Sequence, residues 1–215
     1  MLKIAFAGNP NVGKTALINE IAGSKLKVGN WPGVTVEKKE AQFIYENEEI
    51  FLIDLPGVYS LSPYSNEEII TRDYIINENP DLIINVVDAT NLERNLYLTA
   101  LLKELGKPMI IALNLYDEFK KLDYRLDEKQ FEEFFGLNIV KTSARTREGL
   151  EDLLKKAIAM SKEKEKTNFK LHFNSTIDKE VEAIKKEISD KEEFKPVLAK
   201  LSLDYLAVKL LEEDK

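Results

Sequence analysis

The sequence predicts an α/β domain, a mostly parallel sheet with helices on both faces, followed by a small all-α segment. Three observations carry this. Short apolar runs alternate with helical stripes up to about residue 160, as strands joined by crossover helices require. One run, Leu82-Ile83-Ile84-Asn85-Val86-Val87, is almost continuously apolar, which suits a strand covered on both faces. Beyond residue 162 the strand pattern stops, and Ile177, Val181, Ile184 and Ile188 recur at spacings of 4, 3 and 4, a helical stripe.

The elements follow in order. Leu2 to Phe6 is a short apolar strand, and Ala16 to Ile21 opens a helix. Phe43-Ile44-Tyr45 and Ile50 to Ile53 read as strands around a turn at Asn47-Glu48, a hairpin. Asn66 to Asn77, Leu92 to Leu105 and Asp127 to Phe135 read as helices between the buried strands Leu82–Val87 and Met109–Leu113. Leu137 to Lys141 is a weaker strand. Leu150, Leu153, Leu154, Ala157 and Ile158 give the stripe of an amphipathic helix. Ser161 to Lys166 is a solvated helix end or linker, which divides the chain into 1–162 and 167–215. Leu198, Leu201, Tyr205 and Val208 continue the helical pattern after Pro196. So small a helical segment buries little alone, so it must pack on the first domain, on a second copy, or on chain outside this sequence.

Composition narrows the class. The chain has 215 residues, enough for one core plus a small appendage. It has no cysteine, which excludes disulfides and thiolate metal sites. No apolar run approaches the roughly 18 residues of a membrane span, and the first strand begins at once, so a soluble, cytosolic chain without a signal peptide is expected. A formal net charge of −7 argues against nucleic acid as the main partner.

The chemistry lies in four motifs. Gly8-Asn9-Pro10-Asn11-Val12-Gly13-Lys14-Thr15 follows a strand and opens a helix, so its backbone N–H groups and the helix dipole form an anion site. Lys14 would bridge the β- and γ-phosphates of a nucleotide, and the Thr15 hydroxyl would ligate Mg²⁺. Asp54-Leu55-Pro56-Gly57 ends an apolar strand. Its carboxylate can hold Mg²⁺ through water, and the Gly57 N–H can reach a γ-phosphate. Asn114-Leu115-Tyr116-Asp117 follows another strand, and Asp117 can accept from guanine N1–H and its 2-amino group, which adenine lacks. Thr142-Ser143-Ala144-Arg145 can donate backbone N–H groups to guanine O6, with Ser143 and Ala144 the expected contacts. The phosphate loop is strong in its strand-loop-helix context, whereas Asp54-Leu55-Pro56-Gly57 and Ser143-Ala144 are weak alone. Their order makes GTP and GDP the expected ligands.

These residues resemble the guanine-nucleotide-binding domain of the translation-factor-like small GTPases, over roughly 1–160. The loop Val28-Gly29-Asn30-Trp31-Pro32-Gly33-Val34-Thr35-Val36-Glu37-Lys38-Lys39, with Asp54-Leu55-Pro56-Gly57-Val58-Tyr59-Ser60-Leu61, is similar to the cytosolic N-terminal domain of the ferrous iron transport protein B family. Leu206 to Glu212 resembles that family's helical, guanine-nucleotide-dissociation-inhibitor-like domain. The resemblance implies a P-loop NTPase fold of the small-GTPase type. It also implies a soluble piece on the cytoplasmic side of a membrane transporter, and the membrane domain of the same polypeptide as a partner. By resemblance, Thr35 is the switch residue that ligates Mg²⁺ with GTP bound, and Asn11 matches an asparagine that related GTPases use to bind K⁺. The catalytic set is then Asn11, Lys14, Thr35 and Gly57. The alternative for Asn11 is a loop residue making local backbone hydrogen bonds.

Two positions depart from the common pattern. Val58 stands where many small GTPases carry a water-orienting glutamine, so slow intrinsic hydrolysis is expected. Leu115 replaces the usual lysine, so weaker nucleotide binding and faster exchange are expected. Trp31 is either packing or a reporter of loop order. His172, the only histidine, reads as structural or exposed, and Glu46, Glu48 and Glu49 read as a solvated turn. No Fe²⁺ site is evident in the sequence. The leading expectation is a GTP-hydrolysing regulatory domain of a ferrous iron transporter. An RNA- or ribosome-associated assembly GTPase and a nucleotide-switched interaction module with negligible turnover are the alternatives, and a homo-oligomer is a further expected assembly.

Overall fold

The computed structural model describes residues 1–163, 174–199 and 201–212. Seven strands form one sheet: β1 (Leu2–Gly8), β2 (Leu26–Asn30), β3 (Glu37–Tyr45), β4 (Glu48–Asp54), β5 (Leu82–Asp88), β6 (Met109–Asn114) and β7 (Ile139–Lys141), in the order β2-β3-β4-β1-β5-β6-β7. β4, β1, β5, β6 and β7 run parallel, and β3 pairs antiparallel with both β2 and β4. The parallel majority has a direct consequence. β1, β4, β6 and β7 all end at the same edge, so Gly8, Asp54, Asn114 and Thr142 open their loops side by side.

The period-two alternation of the strands sorts the core into two layers. Ala5, Ala7, Ile53, Ile83, Val87, Met109 and Ile111 face one way. They pack with Leu98 and Leu102 of α3 (Leu92–Glu104) and with Phe135 of α5 (Glu128–Phe135). Ile75, just after α2 (Asn66–Asp73), joins them. Ile4, Phe6, Leu52, Ile84, Val86 and Ile110 face the other way, onto Leu17 and Ile18 of α1 (Lys14–Ala22) and Leu153 and Ala157 of α6 (Leu150–Glu163). A one-residue slip of any central strand would exchange these sets.

Local chemistry sets the helix starts. Ser65 accepts from Glu68 N–H while the Glu68 carboxylate takes the Ser65 N–H, a complete capping box for α2. Asp127 caps α5, Asn174 caps α7 (Ser175–Ser189) and Ser202 caps α9 (Leu203–Leu211). Two single-turn helices, α4 (Tyr116–Phe119) and α8 (Lys195–Leu198), complete the α-helices among the described residues.

Several expectations need correction. The stretch 28–39 is not one loop, because Val28–Asn30 pair with Glu37–Lys39 and leave only Trp31–Val36 as a connection. Leu26-Lys27-Val28-Gly29-Asn30 and Glu37-Lys38-Lys39 carry too few apolar residues to show this. The β3–β4 turn is Glu46-Asn47, both with positive φ, and Glu48 already belongs to β4. Glu48 pairs with Lys162 at 2.6 Å. The helix expected over Asn66–Asn77 changes at Tyr74 to a wider π-helical turn, Tyr74–Glu78. Leu198 and Leu201 lie in α8 and the connection after it rather than in one helix with Tyr205. Ser161–Glu163 end α6, whereas 164–166 and His172 lie outside the described residues.

The C-terminal helices do find a partner within the chain. Val181, Ala207 and Val208 form a small apolar cluster between α7 and α9, and Lys185 reaches Asp204 at 2.7 Å. Tyr205 is buried in the sheet-side core, and the Ser202 hydroxyl donates to Glu104 O at 3.0 Å. At this contact, burial pushes the Glu104 carboxyl up to about 7, with Lys209 opposing and Glu212 adding to the rise.

A folded-state pKa raised above the ordinary carboxylate value favours the fold only while the group stays protonated. Stability should therefore fall as pH rises from about 4.5 to about 7, by roughly 1–2 kcal/mol after allowance for solvent screening. Glu104→Gln should lack this component. Urea unfolding at pH 5 and pH 8 checks it, and an unchanged pH dependence in the variant would contradict it.

Candidate functional site

The loop after β1 is held from three directions. Gly13 is left-handed, φ 79°, and a Cβ there would lie 2.5 Å from Asn114 Nδ2. Gly57 presses on the same loop, where a Cβ would come 3.0 Å from Pro10 Cα. The Val58 N–H donates to Gly8 O at 3.2 Å, so the loop after β4 is tied to the loop after β1. Beneath them, Asn114 is fully buried. Its Nδ2 donates to Val12 O at 2.8 Å, and its Oδ1 accepts from the Thr142 hydroxyl at 3.3 Å.

One carboxylate gathers the two polar side chains at the start of α1. Lys14 Nζ donates to Asp54 Oδ1 at 2.5 Å, and Thr15 Oγ1 donates to Asp54 Oδ2 at 2.7 Å. Lys14 and Asp54 are both buried, where an ion pair keeps its strength. The Thr15 hydroxyl and Asp54 carboxylate are hard oxygen donors side by side, the set that suits Mg²⁺. Thr35 shares no hydrogen bond with them among the described residues and is exposed in the Trp31–Val36 connection.

Asn9 is buried. Its Nδ2 donates to Arg94 O at 3.3 Å, while its Oδ1 has no hydrogen-bond partner. Asn11 is exposed with left-handed φ of 66°, and its side chain makes none of the described hydrogen bonds.

At the other end, Asp117 opens onto a different surface. Its Oδ2 accepts from Arg145 Nη2, and its Oδ1 is buried without a hydrogen bond of good geometry. The nearby Ser143 hydroxyl, then Arg145, hold the Asp117 carboxyl below the usual range against the opposing effect of burial. An ionised carboxylate with an orphaned buried oxygen fits paired donors of the guanine kind. Leu115 is left-handed, φ 57°, a conformation that costs a branched side chain about 1–3 kcal/mol. Bonds on either side hold it, from Tyr116 N–H to Thr142 O and from Glu118 N–H to Leu115 O.

The fourth motif is narrower than its sequence suggests. The Thr142 N–H is committed to Leu113 O and the Ser143 N–H to Glu148 O, leaving Ala144 and Arg145 as the backbone donors that no described residue occupies. Sequence reasoning missed the Thr142–Asn114 bond, the Arg145 ion pairs and the contact of Trp31 with Tyr74, ring centroids 5.6 Å apart edge to face. Trp31 is thus packed, as one of its two readings expected. Val58 is buried in the core, so it neither orients water nor faces the loop surface.

The model of the family described as ferrous iron transport protein B matches residues 2–157. The chain belongs to the ferrous iron transport protein B family. It is 48% identical over 214 residues to the Fe(2+) transporter FeoB of Methanocaldococcus jannaschii, covering 99% of this chain and 31% of that protein. A fusion of Fe(2+) transport protein A with Fe(2+) transporter FeoB from Porphyromonas gingivalis is 44% identical, with coverages of 100% and 26%. The chain thus spans about a quarter to a third of the length of these curated FeoB relatives. The cytosolic domain of the T. maritima FeoB iron transporter in its GMPPNP form matches with a TM-score of 0.91 and 40% identity, over 100% of this chain and 82% of that one. The GDP form I of the same protein matches at 0.90. The fold is therefore the P-loop GTPase fold of the FeoB cytosolic domain.

Asn114→Ala should leave the Val12 carbonyl and Thr142 hydroxyl buried without their partner. A loss of about 1–3 kcal/mol in unfolding free energy is expected. Urea denaturation measures it, and a variant as stable as the parent would show that this amide is not the tie described.

Proposed function

We propose that this chain is the GTP-binding and GTP-hydrolysing regulatory domain of a ferrous iron transporter, acting on the cytoplasmic side of the membrane and joined to the transporter's membrane domain. The observation that carries the reading is the placement of Lys14, Thr15 and Asp54 under the Gly8–Thr15 loop, with Asp117 and its orphaned oxygen at the far end. The spread from phosphate-type to base-type recognition matches a nucleoside triphosphate. The FeoB relatives support iron as the transported ion.

Within this reading, Gly8 to Thr15 cradle the phosphates through backbone N–H groups, and Lys14 supplies a cation to their β- and γ-oxygens. Thr15, Thr35 and Asp54 would hold Mg²⁺, and Asn11 would hold K⁺. Bound there, the two cations would offset negative charge on the phosphate oxygens. The Gly57 N–H donates to the γ-phosphate. Asp117 reads the guanine edge, and Ala144 N–H faces O6. Nothing at Val58 can orient a water molecule, so hydrolysis is slow unless another group contributes. That burial also favours the second reading, a nucleotide-switched module with negligible turnover.

Guanine selectivity tests the base assignment. Asp117→Ala should weaken GDP and GTP by roughly 2–4 kcal/mol, the scale of lost charge-assisted hydrogen bonds. Calorimetric titration with GDP, GTP and ATP measures it, and equal affinity of the parent chain for ATP and GTP would rule the assignment out.

Catalysis is tested by salt. KCl should accelerate phosphate release more than NaCl or a bulky organic chloride at matched ionic strength. Asn11→Ala should remove that acceleration, roughly 10²–10³-fold by analogy with the loss of one charge-stabilising element, while nucleotide still binds. Identical rates in all three salts would exclude the K⁺ role. Negligible turnover in every salt would favour the switched module.

A further inference from the structure

We propose that Arg145 tunes the strength and selectivity of guanine binding by competing with the base for the Asp117 carboxylate. The proposal rests on the reading of Asp117 as the base-recognising group.

The geometry makes the two arrangements exclusive. Arg145 Nη2 sits on Asp117 Oδ2, and it also reaches Glu118 Oε1 at 2.8 Å. Guanine presents two donors, N1–H and the 2-amino group, and needs both carboxylate oxygens. Among the described residues Oδ1 accepts no hydrogen bond of good geometry. The base must therefore displace the guanidinium from Oδ2. The Asp117 side chain is 10% exposed and that of Arg145 is 63% exposed, so the arginine is the partner free to move. Glu118 keeps a second carboxylate beside it, which lowers the cost of leaving Asp117. The carboxyl itself is held ionised by the Ser143 hydroxyl and Arg145, so the contest is between donors for a fixed anion.

Two consequences separate this role from a structural one. First, removing Arg145 should tighten guanine binding, although deleting a positive charge weakens attraction for a polyanionic ligand at long range. Second, a hypoxanthine nucleotide presents N1–H without the 2-amino group. It needs one oxygen and can bind while Arg145 stays in place. Arg145 thus lowers the preference for GDP over IDP.

The test is equilibrium titration of the parent chain, Arg145→Ala, Arg145→Lys and Glu118→Gln with GDP, IDP and ADP. Arg145→Ala should bind GDP about two- to five-fold more tightly, the range of a largely exposed ion pair, and IDP with a smaller gain. Arg145→Lys, a single-point cation without the planar fork, should fall between. Glu118→Gln should weaken GDP, and this effect should vanish when Arg145 is already alanine. Weaker GDP binding in Arg145→Ala, or an unchanged GDP-to-IDP ratio, would overturn the proposal while a GDP preference over ADP in the parent leaves the base assignment standing. A parent chain that binds ADP as well as GDP would remove both.

Discussion

A single buried amide holds the functional edge of this molecule together. Asn114 ends β6, donates to Val12 O in the loop after β1, and accepts from Thr142 just after β7. Three segments more than 25 residues apart in sequence therefore share one side chain with both its polar atoms used. In a site from which water is excluded, each of those bonds is costly to leave unmade. A Cβ on Gly13 would strike this same amide, so the glycine and the asparagine constrain each other. The Gly8–Thr15 loop and the loops after β6 and β7 are fixed relative to one another by this tie.

The sheet makes that tie possible. Parallel strands all end at one edge, so chemistry distributed over 1–145 arrives in one row. The antiparallel pair β2–β3 lies outside this row, and there the expected site is least assembled. Thr35 is exposed on the connection between those two strands, and Trp31, at its root, is anchored to Tyr74 instead of to the phosphate-type end. The rigid part of the site is built from buried strands with apolar side chains on both faces. The part expected to respond to a γ-phosphate hangs from an edge hairpin with few buried contacts, the kind of element from which moving parts are drawn.

Much of this was legible in the sequence because it rests on short-range rules. The glycine-lysine loop, the apolar runs and the helix stripes placed six of the seven strands and most helices. β2 was not legible. Leu26-Lys27-Val28-Gly29-Asn30 is a mostly exposed edge strand whose pairing depends on β3, and no local periodicity announces that. The Arg145–Asp117–Glu118 cluster was hidden for a related reason. Its members are 28 and 27 residues apart, and only the parallel register of β6 and β7 makes them neighbours. Asn114 was expected as a ligand contact; its bonds to Val12 and Thr142 add a positioning role that the sequence did not announce.

One helix, α3, joins the Gly8–Thr15 loop to the C-terminal helical segment. α3 begins where Arg94 O accepts from Asn9 beside the phosphate loop, and it ends where Glu104 O accepts from Ser202 at the start of α9. At about 1.5 Å per residue, the ten steps from Arg94 to Glu104 make a rod of roughly 15 Å between the two contacts. A rod transmits a displacement only if its two ends have alternative arrangements of different free energy. The Asn9 end has a buried oxygen without a partner, a group whose environment a bound phosphate would change. The Glu104 end has a carboxyl poised near neutrality by burial, so small changes in packing there alter its charge. Each end is thus a place where a modest shift carries an energetic consequence, and the helix between them is buried along Leu98 and Leu102 in the sheet core, which resists bending.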